Sequence, residues 1–271
     1  MRYADLHLHT YHSDGTRSPR EVIDVAREHG IEIVAISDHD NIAAFFEIKS
    51  HADERGVTLI PAIELSCGFE GVDVHVLAYA FDATDERIEE RLRGFRESRH
   101  RRGFAMVDRL RSLGYDITTQ RVDELAAGGA MGRPHVARAL VEKGYVSSVA
   151  EAFDTLIGVG KPGYVEKERF RIDEAVALIR SAGGVTSIAH PSHYPNHFEL
   201  VPRLLDHGLD GIEVFHPDVP DEDRERYTNL ARFRNCMVTG GSDDHGKVKT
   251  TETLGTVKVP ENLIGAILER M

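Results

Sequence analysis

Short apolar runs alternate with amphipathic stretches over the first eighty residues. Period-two and continuously apolar patterns predict strands at 3–7, 31–37, 57–66 and 72–80. Period-3.6 patterns predict helices at 19–29 and 41–55, with Ser18 as the N-cap of the first helix and Gly30 as its stop. This alternation is typical of βα units arranged around a parallel sheet.

The pattern becomes helical after Thr84 and stays so for some eighty residues. Its helical segments fall near 84–113, 120–127, 133–144 and 148–157. Because this block interrupts the alternation, we expect residues 97–165 to form an inserted helical domain. The main domain then consists of residues 1–96 and 166–271.

The βα alternation returns from Asp173. Helices are predicted up to 181, from about 198, at 221–233 and from 261. Strands are predicted at 185–189, 211–215 and 236–239. The predicted fold class is therefore α/β: a barrel of about seven strands that carries a smaller inserted helical domain.

The composition, with 41% hydrophobic and 29% charged residues, is that of a soluble globular protein. No apolar run approaches the roughly 18 residues of a membrane span, and the N-terminal residues lack a signal-peptide pattern. Since Cys67 and Cys236 are the only cysteines, we expect no disulfide framework and a cytoplasmic location.

The net charge of −12 disfavours sequence-independent binding of long duplex nucleic acid, which requires a basic face. A small phosphorylated substrate remains compatible with this charge, because a metal site can supply local positive charge. The 15 histidines are more informative, since several of them fall beside carboxylates.

Histidine and carboxylate residues cluster near the ends of predicted strands, where parallel βα folds collect active-site residues. In Asp5-Leu6-His7-Leu8-His9-Thr10, His7 and His9 are two residues apart, so both imidazoles face the same side of a strand. Asp14, in Ser13-Asp14-Gly15, can return from the following loop as another ligand. The next strand is followed by Ser37-Asp38-His39-Asp40.

Further candidates lie inside or after later strands. Glu64 and His75 interrupt apolar runs, where a charge is costly unless it is paired with a cation. The last clusters are Ala189-His190-Pro191 and Gly241-Ser242-Asp243-Asp244-His245-Gly246. Taken singly, each has an ordinary alternative: a hydrogen-bonded core histidine, a helix N-cap at Asp38, or half of a buried ion pair at Glu64. Their joint occurrence favours a metal centre.

In this order, the motifs closely resemble those of the PHP (polymerase and histidinol phosphatase) phosphoesterases over nearly the whole chain. The helical insertion and the Gly132-Arg133-Pro134-His135 run look most like the branch of 3',5'-nucleotide bisphosphate phosphatases, which also trim short oligoribonucleotides from the 5' end. The resemblance implies a distorted (βα)7 barrel and a metal-dependent phosphoesterase.

The resemblance also implies three divalent ions. The first would be held by His7, His9, Glu64 and Asp243. The second would be held by Glu64, as a bridge, with His75 and His190. The third would be held by Asp14, His39 and His245. Some relatives have histidine in place of Asp14. Mixed imidazole and carboxylate ligation suits Mn, Fe or Zn.

Substrate contacts are expected from basic residues outside these motifs. Arg133 and His135 open a predicted helix whose N-terminus favours phosphate, and Lys161 lies in a Gly-rich turn. The ordinary alternative for that turn is a plain loop. Besides Glu64, the candidate catalytic residues are Asp38, His193 and His216, any of which could protonate the leaving group.

The predicted activity is hydrolysis of a phosphate monoester on a small substrate, first the 3'-phosphate of nucleoside 3',5'-bisphosphates, with short RNA as a further substrate. The alternatives are a histidinol-phosphate phosphatase, a non-catalytic metal-binding regulatory PHP domain, and a metal-dependent hydrolase of amide bonds. We expect no long duplex nucleic acid and no membrane as partners, and a monomer is the working expectation.

Overall fold

The computed structural model describes residues 2–126, 131–166, 168–248 and 252–271. Its internal contacts divide the chain into two compact units. The first unit consists of Met1–Glu89 and Arg169–Met271, and the second consists of Glu90–Glu168. The domain boundaries placed after residues 96 and 165 from the sequence stay a prediction.

The secondary structure alternates as the sequence pattern indicates. The strands are β1 (Tyr3–Leu8), β2 (Ile33–Ile36), β3 (Thr58–Ile60), β4 (Ala62–Phe69), β5 (Val72–Tyr79), β6 (Phe170–Arg171), β7 (Val185–Ile188), β8 (Gly211–Phe215), β9 (Met237–Gly240) and β10 (Val259–Pro260). The helices are α1 (Pro19–Glu28), α2 (Ala43–Glu54), α3 (Glu86–Ser112), α4 (Thr119–Ala126), α5 (Arg133–Glu142), α6 (Val149–Ala152), α7 (Ile172–Ser181), α8 (His197–Asp206), α9 (Asp221–Arg234) and α10 (Gly265–Leu268).

The strands form two sheets, in the orders β10-β1-β2-β3 and β6-β4-β5-β7-β8-β9. Isolated parallel bridges join Leu8 to Asp244 and His39 to Glu64, which brings β1 beside the end of β9 and the segment after β2 beside β4. Seven of the described strands, β1, β2, β4, β5, β7, β8 and β9, therefore follow one another around the first unit. This arrangement confirms the predicted α/β fold class, with the described strands in two sheets that do not close into one continuous barrel.

The single strand predicted at 57–66 is wrong. The strand is interrupted at Pro61, which separates β3 from β4. β3 pairs with β2, whereas β4 pairs with β5 and β6. Proline has no N–H to donate to a strand ladder, which explains the change of sheet at this position.

The strand β5 runs antiparallel to both of its neighbours, β4 and β7. A two-residue turn at Glu70 and Gly71 joins β4 to β5, and both residues have positive φ, of 49° and 82°. Tight turns of this kind connect antiparallel strands only, since a parallel pair needs a long crossover. The sheet that contains β5 is consequently mixed and not parallel throughout.

Local sequence explains how the elements around the site begin and pack. Ser18 caps α1, and Glu21 completes a capping box with it, as the N-cap prediction requires. All four residues of β2 are buried, as expected for a strand covered on both faces. The buried core of this unit includes Leu6, Ile33, Leu77 and Tyr79.

The second unit contains most of α3 together with α4, α5 and α6, the last of which continues as a π-helical turn at Phe153–Ile157. Its core is formed by residues such as Leu110, Val122, Leu140 and Ile157. Across the described parts of both units, every helix is too short or too polar to cross a membrane.

Candidate metal centre

Glu64 is the hub of a buried cluster of imidazoles. Its side chain is 1% exposed, and its Oε1 lies 2.9 Å from Nδ1 of His75 and 3.0 Å from Nε2 of His190. Its Oε2 lies 3.1 Å from His9 Nε2, 3.1 Å from His39 Nδ1 and 3.3 Å from His7 Nε2. One carboxylate thus contacts five histidines that come from four separate segments of the chain.

Asp243 closes the cluster from the other side. Its Oδ1 lies 3.3 Å from Nε2 of both His7 and His9, which are themselves 3.1 Å apart through the same nitrogens. His7 and His9 therefore face one side of β1, as their spacing predicts. The atoms of these three residues that could bind a metal all lie within 4.8 Å of one another.

A third group is built around Asp14, which returns from the loop after β1. Its carboxylate lies 3.3 Å from His245 Nε2 and 3.7 Å from both His39 Nε2 and His9 Nδ1. Nδ1 of His245 donates to the carbonyl oxygen of Asp243 at 2.9 Å, so the lone pair of Nε2 is directed to the Asp14 side. The structure thus brings together all nine side chains that the sequence motifs select.

The spacing of these atoms fits a shared cation better than a hydrogen-bond network. Among the described residues, His39 Nδ1, Glu64 Oε2 and Asp14 Oδ1 are buried and have no hydrogen-bond partner, although the first two lie 3.1 Å apart. Ligand atoms about 2.1 Å from one metal ion are separated by roughly 3.0 to 3.4 Å in octahedral or tetrahedral geometry. Most contacts of the cluster fall in or near this range, and its imidazole and carboxylate donors suit a divalent transition metal.

The backbone is strained where it presents several of these groups. His190, Asp243 and Asp40 have positive φ values of 26°, 47° and 49°, a region that residues with a Cβ seldom adopt. Such conformations cost about 1–3 kcal/mol each and persist where the surrounding structure requires them, often at functional sites. Asp40 holds the neighbouring strand, since its carboxylate accepts the Ser66 N–H at 2.8 Å.

Burial and the close carboxylates set the charge of the cluster. Burial lowers the pKa of His9, but the carboxylates of Asp243 and Glu64 outweigh it and raise that pKa to about 10. Burial lowers the pKa of His39 to about 3, so this imidazole is neutral with a lone pair to share. Burial alone would raise the pKa of Glu64, yet the surrounding imidazoles hold it well below its usual range. Glu64 is thus an anion at neutral pH.

Gly241 allows the segment that carries Asp243 to lie directly against β1. A Cβ at this position would come within 2.4 Å of both the backbone nitrogen and the Cβ of His7. The backbone N–H of Asp243 donates to the His7 carbonyl oxygen at 2.8 Å, which keeps the two segments together.

We therefore expect Gly241→Ala to destabilise the fold and separate Asp243 from His7. Overpacking of this kind costs about 1–3 kcal/mol in the free energy of unfolding, which chemical denaturation would measure. Gly265→Ala is the matched control, because no atom lies within 4 Å of its added Cβ. Its stability should stay within about 1 kcal/mol of the wild type. Equal stability of both variants would contradict the close approach at Gly241.

Asp38 lies beneath the cluster and is fully buried. Its carboxylate accepts hydrogen bonds from Thr10 N–H at 2.7 Å, Thr10 Oγ1–H at 2.6 Å and Ser13 Oγ–H at 2.6 Å. Between them, these three donors occupy both oxygens of the carboxylate. These contacts favour a structural role in holding the loop before Asp14, and Asp38 as a proton donor stays a prediction.

His193 and His216 lie at the edge of the cluster. The ring of His193 stacks on His190 with centroids 4.8 Å apart, and its Nε2 is 3.1 Å from the Asp218 carboxylate. Nδ1 of His216 accepts the Asp218 N–H at 3.1 Å, so neutral His216 carries its proton on Nε2, which lies 3.6 Å from Asp243. Both residues therefore lie where they can donate a hydrogen bond beside the metal ligands.

Two buried carboxylates next to the ligands have no role in the sequence-based assignment: Asp5, which lies in the first motif, and Glu213, which lies in none. Glu213 accepts a hydrogen bond from His7 Nδ1 at 2.9 Å, and Asp5 accepts the Ser242 N–H at 2.9 Å. Burial raises the pKa of Asp5 to about 7. Glu213 interrupts the apolar strand β8 in the way that Glu64 interrupts β4, so the same signal could have identified it.

The predicted substrate contacts belong to the second unit. The guanidinium of Arg133 lies over the ring of Phe153, 5.2 Å from its centre, at the first residue of α5. Nδ1 of His135 accepts the Gly132 N–H at 3.0 Å and so caps the same helix. Lys161 is exposed and lies in a turn, where its backbone N–H donates to the Gly158 carbonyl oxygen at 3.0 Å. The role of these three residues in substrate binding stays a prediction.

Comparison with known families gives a match between residues 5–166 and the PHP domain. Three full-length relatives have assigned activities. A 5'-3' exoribonuclease of Haemophilus influenzae is 33% identical over 245 residues, covering 89% of each chain. A phosphoribosyl 1,2-cyclic phosphate 1,2-diphosphodiesterase of Eggerthella lenta is 31% identical, covering 90% of this chain and 94% of its own. A 3',5'-nucleoside bisphosphate phosphatase of Chromobacterium violaceum is also 31% identical, covering 90% and 88%.

A solved structure has the same fold over nearly its whole length. It is a protein of Bifidobacterium adolescentis assigned as a metal-dependent phosphoesterase, with a TM-score of 0.88 and 34% sequence identity. The superposition covers 98% of this chain and 96% of that one. The similarity therefore includes both the segments that carry the nine clustered side chains and the helical block.

Proposed function

Because the chain belongs to the PHP domain family and is a metal-dependent phosphoesterase, we propose that it removes the 3'-phosphate of nucleoside 3',5'-bisphosphates and also trims short oligoribonucleotides. The observation that carries this proposal is the clustering of three carboxylates with six imidazoles, five of which contact Glu64. Two of the relatives are named for a nucleotide or RNA substrate, one as a 3',5'-nucleoside bisphosphate phosphatase and one as a 5'-3' exoribonuclease. Both names favour a nucleotide over an amino-alcohol phosphate.

We assign three divalent ions, Mn, Fe or Zn, to the cluster. The first is assigned to His7, His9, Glu64 and Asp243. The second is assigned to Glu64, His75 and His190. The third is assigned to Asp14, His39 and His245. Divalent ions in such a site activate water as a nucleophile at neutral pH and neutralise negative charge on phosphate.

The protein's own residues supply the rest of the reaction. Glu64, as an anion in contact with both halves of the cluster, holds the imidazoles in one arrangement. His193 and His216, in their protonated forms, are the candidates to protonate the leaving oxygen, since both rings lie beside assigned metal ligands. Arg133, His135 and Lys161 are proposed to bind the second phosphate of a bisphosphate, since guanidinium, imidazole and ammonium groups all recognise phosphate oxygens.

The proposal predicts a substrate preference. The Mn-loaded protein should release phosphate from adenosine 3',5'-bisphosphate faster than from AMP or histidinol phosphate, because a second phosphate offers a further charge to bind. Chromatography should identify the nucleotide product as AMP. The same assay also includes a short 5'-phosphorylated RNA and a phosphoribosyl cyclic phosphate as substrates. The activity measured with the Glu64→Gln variant gives the background from contaminating phosphatases.

Other outcomes would redirect or end the proposal. Preference for histidinol phosphate would make the protein an amino-alcohol phosphatase and remove the reason for assigning Arg133 and Lys161 to a second phosphate. Preference for the cyclic substrate would place it with the diphosphodiesterases. If the metal-loaded protein releases phosphate from none of these substrates, the proposed substrate class is contradicted.

A further inference from the structure

Glu213 is a buried carboxylate that none of the metal-binding motifs contains. It is the third residue of β8, is inaccessible to solvent, and lies between the parallel neighbours β7 and β9. Its flanking residues, Ile212 and Val214, are apolar and fully buried. A charge in this position is costly unless it is hydrogen-bonded, so its partners indicate why the strand tolerates it.

The two oxygens of Glu213 bind two different segments of the cluster. Oε1 accepts a hydrogen bond from Nδ1 of His7 on β1 at 2.9 Å. Oε2 accepts a hydrogen bond from the backbone N–H of His190, after β7, at 2.6 Å. Both partners belong to the cluster: His7 contacts Asp243, and His190 contacts Oε1 of Glu64. One side chain thus connects two parts of the centre.

The bond to His7 selects the tautomer that a metal requires. A carboxylate can only accept, so His7 must carry its proton on Nδ1. In the neutral ring, which is the form that binds a metal, Nε2 then has a lone pair, and it lies 3.3 Å from both Glu64 Oε2 and Asp243 Oδ1. In metal sites generally, a carboxylate on the far nitrogen fixes the orientation of a histidine ligand and increases its basicity.

The bond to His190 acts on the backbone instead. His190 has φ 26° and ψ 60°, in the left-handed region, and this conformation directs Nε2 to within 3.0 Å of Glu64. The strained conformation needs compensation, which a short charge-assisted hydrogen bond to its own N–H provides.

We propose that Glu213 is a positioning residue that holds His7 and His190 together, so that the first and second metal positions are organised by one carboxylate. The inference rests on the proposed ligand set. It implies that the two positions lose affinity together when Glu213 is changed, whereas the third position, assigned to Asp14, His39 and His245, is affected less. Glu213 itself contacts neither the substrate nor the metals.

The test is metal binding by Glu213→Gln, measured by titration with Mn²⁺ and by the metal content after dialysis. Glutamine keeps the size but has a single accepting oxygen, so its amide must face either His7 Nδ1–H or the His190 N–H with a second donor. We expect Mn²⁺ affinity at two positions to fall about 10- to 100-fold, the usual effect of losing such a partner.

Asp210→Asn is the matched control, three residues earlier in the chain. Asp210 also accepts a backbone hydrogen bond, from Thr186 N–H at 2.9 Å, but it contacts none of the clustered residues. It makes the same carboxylate-to-amide change and should alter unfolding stability without altering metal affinity. Glu213→Asp keeps the charge with a shorter reach, and we expect it to recover part of the affinity even if the glutamine variant folds poorly.

The outcomes separate this inference from the proposed function. Wild-type Mn²⁺ affinity in folded Glu213→Gln, or a loss no larger than in Asp210→Asn, would overturn the positioning role and leave the phosphoesterase proposal intact. A wild-type protein that binds no divalent ion would overturn both. Binding of ions without hydrolysis of any tested phosphoester would end only the substrate proposal, because the affinity measurement does not depend on turnover.

Discussion

Replacing Glu64 by glutamine should lower kcat/KM by about 1000-fold or more while the protein stays folded. Glu64 contacts imidazoles on both sides of the cluster, through Oε1 to His75 and His190 and through Oε2 to His7, His9 and His39. Glutamine has nearly the same volume, but it has no negative charge and only one oxygen that can bind a cation. The variant therefore loses a ligand that both assigned metal positions share, and a loss of about 4 kcal/mol in transition-state stabilisation corresponds to about a thousandfold change in rate.

The measurement compares phosphate release by the variant and by Glu54→Gln at saturating Mn²⁺. Glu54 lies at the end of α2 with its side chain 72% exposed, so the same chemical change there should leave turnover unchanged. Circular dichroism and thermal unfolding establish that both variants are folded. Turnover within tenfold of the wild type, with full metal content, would remove Glu64 from the reaction.

How far the sequence predicts this centre depends on how local each interaction is. His7 and His9 were predicted to face the same side because strand geometry alone determines it. Glu64 was found because a charge inside an apolar run is costly, a signal that requires no knowledge of the fold. Glu213 gives the same signal, but its partners His7 and His190 are 206 and 23 residues away in the sequence. Its hydrogen bonds can therefore be identified only from the three-dimensional structure.

The role of Asp38 shows the opposite difficulty. Its place directly after a strand makes it a reasonable candidate acid, yet three hydrogen bonds from Thr10 and Ser13 use its oxygens. Those donors lie 25 to 28 residues earlier in the chain, and no periodic pattern encodes such a contact. A residue's type and its position at a strand end therefore predict that it lies near the site, but not which hydrogen bonds it makes.

The break at Pro61 and the direction of β5 were missed for a related reason. An apolar run records burial, and it continues through Pro61 although the strand partner changes there. The reversal at Glu70 and Gly71 is local and could have been recognised from the short gap between two β-rich runs.

Removing divalent ions should abolish turnover and also lower the unfolding temperature. The centre holds Asp14, Glu64 and Asp243 with six imidazoles, and ions that bind only the folded chain stabilise it by mass action. For each ion present at a hundredfold excess over its dissociation constant, the gain is about 2.7 kcal/mol, which corresponds to roughly 5 to 10 °C in a domain of this size. Chelation should therefore lower the midpoint by at least that amount and reduce phosphate release about a thousandfold.

Re-addition of Mn²⁺, Fe²⁺ or Zn²⁺ separately identifies which ion restores activity, and differential scanning calorimetry follows the midpoint in parallel. In Glu64→Gln the same additions should raise the midpoint less, because a shared ligand of two assigned positions is absent. A chelated protein that keeps its turnover would contradict a metal-dependent reaction. The other informative outcome is an unfolding midpoint that ions do not change, with activity that still depends on them. In that case the buried carboxylates and imidazoles are stable without a cation, and the ions act only on the substrate.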